Sequence, residues 1–467
     1  MKKKLYTFVA ALFGFVATAS AGGLMTNTNY HIAFDRMMAR GASFDIDAAF
    51  SNPAGLAWGH EGLQLSLNFQ KPWQNRDITL TAPNYLAAPA LGYAGVDIDR
   101  KFEGKASAPI VPALFASYKK DRWAVSAMIG IVGSGGFVKY DDGIPMFNAL
   151  VMAKLFDATK SLPAAMGGPM TPEKYTIDSK MEGKQYIYGG QLNFTYRFTD
   201  QIAGAVGVRA NYYDGYNRGH VTATTIDKLG NQKLLDLQLD CLQKGWGFTP
   251  IVSLDFREGP LTVAARYEFR TKINTENDTK TLDASIKNTD PTTATAMPYI
   301  NGKTALAQFG DKVAPYEDGA TTRYDMPSLL SVAVGYEITP KLRATLEYHF
   351  FDDKHAKMAG DRQKELTHGT NEFLLGVEYD INEKFTVSCG GQRTDYGLAD
   401  GYQQNTSFAC DSWSVGLGGA WNINEKVRLN AGYFCSLYSD YNKQVTYGKE
   451  TYSRTNHVIG IGVDYKF

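Results

Sequence analysis

The sequence predicts an all-β fold: a 14-stranded antiparallel transmembrane β-barrel with an N-terminal hatch, or plug, in its lumen. Three observations carry this reading. Apolar and polar residues alternate with period two over stretches of about ten positions, from residue 62 to the end. Short turns and long polar stretches alternate between those runs. The 467 residues include 28 Tyr, 25 Phe and 6 Trp, yet only 44% are apolar, too few for a bundle of spanning helices.

The first residues explain themselves. Lys2, Lys3 and Lys4 precede the apolar run Leu5–Ala17, and Ala19–Ser20–Ala21 then fits a small-residue cleavage pattern. Residues 1–21 read as a secretory signal peptide; the run is too short to serve as a membrane anchor. Basic and acidic side chains balance at 48 each with no long block of one sign, which excludes a nucleic-acid partner. Cys241, Cys389, Cys410 and Cys435 form neither a disulfide framework nor a C-x-x-C metal pattern.

The strands follow in order. The alternation predicts strands over 62–70, 107–119, 122–137, 184–198, 202–222, 241–256, 260–274, 325–338, 341–354, 369–380, 383–395, 410–422, 425–438 and 453–467. Lys426–Leu437 is a clear case: Val427, Leu429, Ala431, Tyr433, Cys435 and Leu437 share one face. Tight turns at Lys119–Arg122, Thr199–Gln201, Arg257–Pro260, Thr339–Pro340, Ile381–Glu383 and Ile423–Glu425 mark one end of a meander. Long loops near 138–183 and 276–324 are expected at the other. Only a closed sheet or a helix leaves no backbone group unpaired in lipid, and one-chain bacterial barrels have an even strand number. The terminal run Ile459, Ile461, Val463, Tyr465, Phe467 closes the barrel. A soluble β-sandwich would also alternate, but it explains neither the one-sided loop lengths nor the terminal aromatic.

Residues 22–61 do not alternate. This segment mixes small, acidic and apolar residues, and a fourteen-strand lumen is too wide for wall side chains to fill. An inserted plug resolves both facts. Arg40–Gly41–Ala42, Asp47 and Asn52–Pro53–Ala54 resemble the N-terminal hatch of the FadL family of outer-membrane transporters. Gly245–Trp246–Gly247–Phe248, Leu261–Arg270, Met326–Pro327–Ser328, Asp411–Ser412–Trp413 and Gly460–Phe467 continue the resemblance along the barrel. The domain division is therefore 1–21, 22–61 and 62–467, with Arg36, Arg40, Asp47, Asn52 and Pro53 as hatch residues.

The resemblance implies diffusion of a long-chain fatty acid, or another hydrophobic molecule, through the outer membrane of a Gram-negative bacterium. The ligand would displace the hatch and leave sideways at a kink in the third strand. Gly133, Gly135 and Gly136 supply such a kink here, unless they only fray the strand end. In the first long loop Phe147, Leu150, Met152 and Leu155 lie on a predicted helix. That helix is either a landing groove for an apolar ligand or a cap on the barrel mouth. Parity turns Arg209, Asp255, Arg257, Arg266, Glu268, Arg270, Arg343, Glu347, His349, Glu378 and Asp464 inward. Mixed charge is the usual solvated interior of a barrel; Arg266, Arg270 and Arg343 are the candidate anchors for a carboxylate.

Two other classes of protein fit the pattern less well. A barrel phospholipase needs a Ser–His pair, and no serine stands out beside His349. An adhesin or open porin would suit the polar stretch 276–324 but not a hatch. No catalytic residue, cofactor or metal is expected. The partners expected are the hydrophobic ligand and outer-membrane lipids, with the barrel acting as a monomer.

Overall fold

The computed structural model describes residues 22–108, 110–162, 168–288, 299–309 and 314–467. The signal-peptide reading of residues 1–21 lies outside the described residues. Fourteen wall strands follow one another. They are β1 (Gly62–Tyr85), β2 (Val96–Phe102, Gly104–Ser107 and Val111–Lys120), β3 (Trp123–Tyr140), β4 (Tyr175–Arg197) and β5 (Ile202–Thr225). Next come β6 (Lys233–Glu258), β7 (Leu261–Glu268 and Asn274–Lys287), β8 (Tyr299–Asn301, Thr321–Arg323 and Leu329–Thr339) and β9 (Leu342–Phe351). The last are β10 (Thr370–Asp380), β11 (Phe385–Asp395), β12 (Ser412–Asn422), β13 (Val427–Tyr438, continued by Tyr441–Val445) and β14 (Gly448–Lys466). Each wall strand pairs antiparallel with the next, and β14 returns to β1 from Gln64↔Lys466 to Thr81↔Lys449, which closes the barrel. Four short helices are described: α1 (Ile32–Met37), α2 (Ala48–Ser51), α3 (Pro145–Thr159) and α4 (Gly302–Ala307). No described helix is long and apolar enough to cross a membrane.

Next to the short turns the outer wall is apolar and the inner wall polar. Leu192, Val206, Leu254, Leu346, Leu417 and Ile461 point out and are exposed. Asn193, Thr195, Ser253, Glu347 and Glu378 point in and are buried. Aromatic pairs bound this band. Tyr196–Phe198, Phe385–Trp421 and Tyr465–Phe467 stand by the short turns. Tyr212–Trp246, Tyr348–Phe373 and Trp73–His457 form the second ring. Tyr188 on β4 and Phe198 just past its end lie about ten residues apart, roughly 33 Å along the strand and roughly 25 Å once tilted, the height of a lipid-facing band. Placing a charge on this face is costly. Leu346→Arg should lower stability by about 2–4 kcal/mol at mid-depth, read as a lower denaturation midpoint in detergent; an unchanged midpoint would place Leu346 outside the lipid band.

Beyond the second aromatic ring the polarity of the alternation inverts. Leu235, Leu237, Leu239 and Cys241 of β6 point inward and are buried, while Asp236, Gln238 and Asp240 between them are not. Ile78 and Leu80 of β1 and Val221 and Ala223 of β5 repeat this. Here water lies outside and an apolar core inside, as in a soluble barrel. This corrects the expected boundaries. The first strand does not end at 70 but runs to Tyr85, and the loops expected near 138–183 and 276–324 contain wall strand at Val138–Tyr140, Tyr175–Gly183 and Glu276–Lys287. A lipid-facing pattern ends where the inversion begins, but the hydrogen-bonded ladder does not.

Candidate functional site: a filled lumen and a seam in the wall

Residues 22–57 are mostly buried inside the barrel, and the wall's inward polar residues hold them. Arg40 is the hub. Its Nε donates to Asp47 Oδ2 at 2.6 Å and its Nη2 to Asp47 Oδ1 at 3.0 Å, a bidentate pair. Its Nη1 donates to Glu378 of β10 at 3.2 Å, and its backbone N–H donates to Glu347 of β9 at 2.7 Å. Arg36, on α1, reaches the same Glu378 at 3.0 Å and Ser388 of β11 at 2.8 Å. The Gly41 N–H also donates to Glu347, at 2.8 Å. A Cβ at Gly41 would lie 2.7 Å from both Ala333 and Glu347, so glycine lets the segment approach the wall here.

The Asn52–Pro53–Ala54 motif has a local and a tertiary role. Asn52 is extended (φ −164°, ψ 94°), as a residue before proline must be, and Pro53 opens the 3-10 turn Pro53–Trp58. Asn52 Nδ2 donates to Asp255 of β6 and to Gly41 O, the latter at 3.2 Å. Thr195 of β4 donates to Pro53 O at 2.8 Å, and Ala54 N–H donates to Ser253 of β6 at 3.0 Å. Asn52→Ala leaves Asp255 buried without this donor. We expect a loss of about 1–3 kcal/mol, measured by thermal unfolding in detergent; a neutral result would mean the motif is not held by the wall.

The opposite side is as well held. His31 Nε2 lies 3.1 Å from Asp464 of β14, and Asn68 of β1 accepts the Ile32 N–H at 3.0 Å. His349 of β9 sits between Glu347 (2.6 Å) and Glu372 of β10 (3.0 Å). In register, Ser331 of β8 faces His349, yet its hydroxyl donates to Glu347 at 3.0 Å; both ring nitrogens of His349 are taken by carboxylates, so Ser331 and His349 do not form a nucleophile–base pair.

A seam interrupts the wall between β2 and β3. β2 and β3 pair from Leu114↔Ile129 to Lys120↔Trp123, and again from Gly104↔Tyr140 to Ser107↔Phe137. Between these ladders, residues 108–113 face 130–136 without a ladder pair among the described residues. Towards β1 the interruption is shorter: β2 pairs through Phe69↔Pro112 and Gln70↔Val111 and again from Trp73↔Ser107, so only 108–110 lack a ladder pair there among the described residues. On its other edge β3 carries two bulges against β4, at Ile131/Gly133 and Ser134/Gly136. Pro112 brings no N–H to the seam, and the glycines of β3 permit the bend. The lumenal segment meets this point: Asn27 N–H donates to Val132 O at 3.3 Å, and a Cβ on Gly133 would lie 2.4 Å from Met25 O.

Two separate apolar clusters lie inside the barrel, one at the mouth and one at the seam. In the mouth, α3 packs Phe147, Val151 and Leu155 into a buried cluster with Ile78, Leu80, Leu235 and Leu237, and Leu150 and Met152 lie half-buried against it. Below it a second cluster holds Met25, Met128, Val132, Ile187, Tyr213, Tyr324 and Met326. The rings of Tyr213 and Tyr324 stack there at 5.2 Å. Methionine lining adapts to ligands of uneven shape.

The three candidate arginines do not converge. Arg266 of β7 is buried, donates to Phe50 O and lies 3.3 Å from Glu268. Arg343 of β9 pairs with Glu378 and with Asp380, the latter at 2.6 Å, near the short turns. Arg270 is exposed rather than lumenal and donates to His355 O at 2.7 Å, because β7 breaks after Glu268 and the chain leaves the wall. Sequence reasoning missed a different pair. Arg76 of β1 and Arg454 of β14 stand opposite each other in register, both buried near the mouth cluster. Their guanidiniums lie over the rings of Phe408 and Tyr438, each at 4.5 Å. They lie outside the lipid band, where the expected β1 had already ended.

One carboxyl at this level titrates in a useful range. Asp353, in the turn after β9, is buried, and burial pushes it up to about 7, against hydrogen bonds from Thr370 and the Leu24 backbone. The folded form thus holds its proton more tightly than the unfolded chain. The contribution of this group to stability is present in acid and falls as pH rises from about 4 to about 7. Asp353→Asn should flatten that part of the stability–pH curve; the same slope in both proteins would assign it elsewhere.

Together these features define the class: an outer-membrane-type β-barrel with a filled lumen and a seam between β2 and β3. A family model described as an outer membrane protein beta-barrel domain matches residues 284–467. No curated protein matches the chain. Among solved structures it is similar to a FadL homologue of Pseudomonas aeruginosa, with 12% identity, 97% of this chain and 100% of that chain covered, and a TM-score of 0.61. It is also similar to the Pseudomonas putida toluene transporter TodX, with 12% identity, coverage of 98% and 100%, and a TM-score of 0.55. The Ralstonia pickettii toluene transporter TbuX follows, with 14% identity, coverage of 90% and 94%, and a TM-score of 0.50. At these identities the likeness establishes the fold, and it is the fold expected from the FadL resemblance.

Proposed function

We propose that the protein is an outer-membrane channel for hydrophobic small molecules, which leave sideways through the β2–β3 seam. The observation that carries this is the seam itself, backed by the apolar cluster of Met25, Met128, Val132 and Ile187 and covered from inside by Met25 and Asn27. A signal peptide, residues 1–21, directs export and is removed after Ala21. The segment 22–61 acts as a hatch. A ligand enters the mouth cluster beside α3, displaces the Met25 contact and exits at Gly133 without crossing the polar lower lumen. Movement is driven by the concentration gradient alone, and no step is catalysed.

Long-chain fatty acids are the first substrate class, with the carboxylate held by Arg76 and Arg454 and the tail in the apolar cluster. Aromatic hydrocarbons are the second, favoured by the toluene transporters TodX and TbuX of the same fold. Purified protein in liposomes should raise the uptake of labelled oleate or of toluene over empty vesicles, and removal of residues 22–45 should change that rate. Arg76→Met with Arg454→Met should slow oleate selectively. No uptake of either compound would sink the transport reading, and indifference to the truncation would sink the hatch.

A further inference from the structure

The structure assigns a role to the nitrogen of Gly22: in the mature chain it is a buried α-ammonium that docks on Glu372 and pins the end of the lumenal segment to the wall. This rests on the proposed cleavage after Ala21. Gly22 is buried, and its nitrogen donates to Glu372 Oε1 at 3.0 Å. Cleavage turns that single amide donor into a cation with three donors. The carboxylate is already built to receive one. Gln392 and Thr394 also donate to Oε1, the latter at 3.0 Å, and His349 meets Oε2 at 3.0 Å. Among these neighbours only His349 can carry charge, and it is shared with Glu347. The ammonium supplies a second cation to two adjacent buried carboxylates, which is how a buried carboxylate is made tolerable.

Gly22 itself fits this end position. Its φ is +119°, and a Cβ would lie 2.3 Å from Thr26 O, so the chain folds back on itself there. At a chain start φ no longer constrains the residue, but the crowding remains and still demands glycine. Gly23 N–H then donates to Thr26 Oγ1 at 3.2 Å, which closes the fold-back. Glu347 holds Arg40 and Gly41 as Glu372 holds Gly22, and His349 bridges the two carboxylates. The start and the middle of the segment are thereby tied to one wall cluster. Processing by the signal peptidase then does more than release the protein: it creates the group that seats the hatch.

The test uses the protein purified from outer membranes. Intact mass and N-terminal sequencing should give Gly22 as the first residue. A brief pulse of an amine acetylating reagent near pH 7 favours α-amines over lysines. The native amine should react at least about tenfold more slowly than in the unfolded chain, read by mass spectrometry of the N-terminal peptide. Glu372→Gln should restore most of that reactivity. So should a Gly-Ser insertion before Gly22, which carries the amine away without touching the wall. A native amine as reactive as the unfolded one overturns the docking while leaving the cleavage site intact. A mature chain that starts elsewhere overturns both readings.

Discussion

Glu378→Gln should release the lumenal segment while leaving the barrel closed. Glu378 is fully buried and is the shared acceptor of Arg36 and Arg40 from the segment and Arg343 from the wall, with Arg428 at 4.0 Å. The change keeps the shape and removes the charge. Arg40 retains Asp47 and Asp45, and Arg343 retains Asp380. Arg36 keeps neutral acceptors, the Ser388 hydroxyl and the new amide oxygen, but would stay buried without a carboxylate in contact. Breaking a buried ion pair on one side costs about 3–5 kcal/mol. That is comparable to the whole stability of a small domain, whereas the wall ladder closed by β1 and β14 does not depend on Glu378. The expected result is a two-part melt. The segment becomes protease-sensitive at a lower temperature and planar-bilayer conductance rises, while the heat-resistant mobility of the barrel in gels is kept. Adding Arg36→Met should recover part of the loss, since the unpaired charge goes with it. Unchanged conductance and unchanged protease resistance would mean that the segment is held by packing alone.

The sequence made the barrel legible because period two is a direct record of a two-faced sheet. The fourteen strands and the inward parity of Arg209, Asp255, Arg266, Glu347, His349, Glu378 and Asp464 follow from it, and these side chains are buried where parity puts them or, for Asp464, nearly so. Parity names a face but not a partner. Nothing in the spacing says that Glu347 takes the backbone of Arg40, that Ser388 takes Arg36, or that Asn68 takes Ile32, since these contacts join positions hundreds of residues apart or lie across non-alternating chain. The extramembrane strands were lost for a different reason. Above the second aromatic ring the same alternation continues with its polarity reversed, and a reader looking for apolar residues facing outward stops there. With that region went Arg76 and Arg454. Arg270 failed because its parity was extended through a break in β7.

Resealing the seam should block lateral transfer. In the register of β3 against β4, Val132 and Gly135 are the two residues without a partner, since Ile131↔Tyr188 is followed by Gly133↔Ile187 and Ser134↔Tyr186 by Gly136↔Gln185. Deleting both removes the bulges and shifts the chain by two residues, which restores the original face. Pro112→Thr returns a donor to β2 and leaves its pairing with Phe69 in place. Five residues of the shortened β3 then oppose the six of 108–113, so Ala108 is deleted as well, which also removes the one-residue excess of β2 against β1, and the combined change lets β2 and β3 complete one ladder. Each regained backbone hydrogen bond contributes about 0.5–1.5 kcal/mol, so the variant should unfold no earlier than the parent. Its uptake of a hydrophobic probe should fall by about tenfold or more, because the route left to the ligand is the lower lumen, lined by Glu378, Arg36, Arg40 and Asp47. Crossing that polar plug costs an apolar molecule its favourable surroundings, at about 25 cal/mol for each Å² re-exposed to water. A stable, resealed barrel that still takes up the probe at the parental rate would place the exit elsewhere and return the β3 glycines to the plain role of bending a strand.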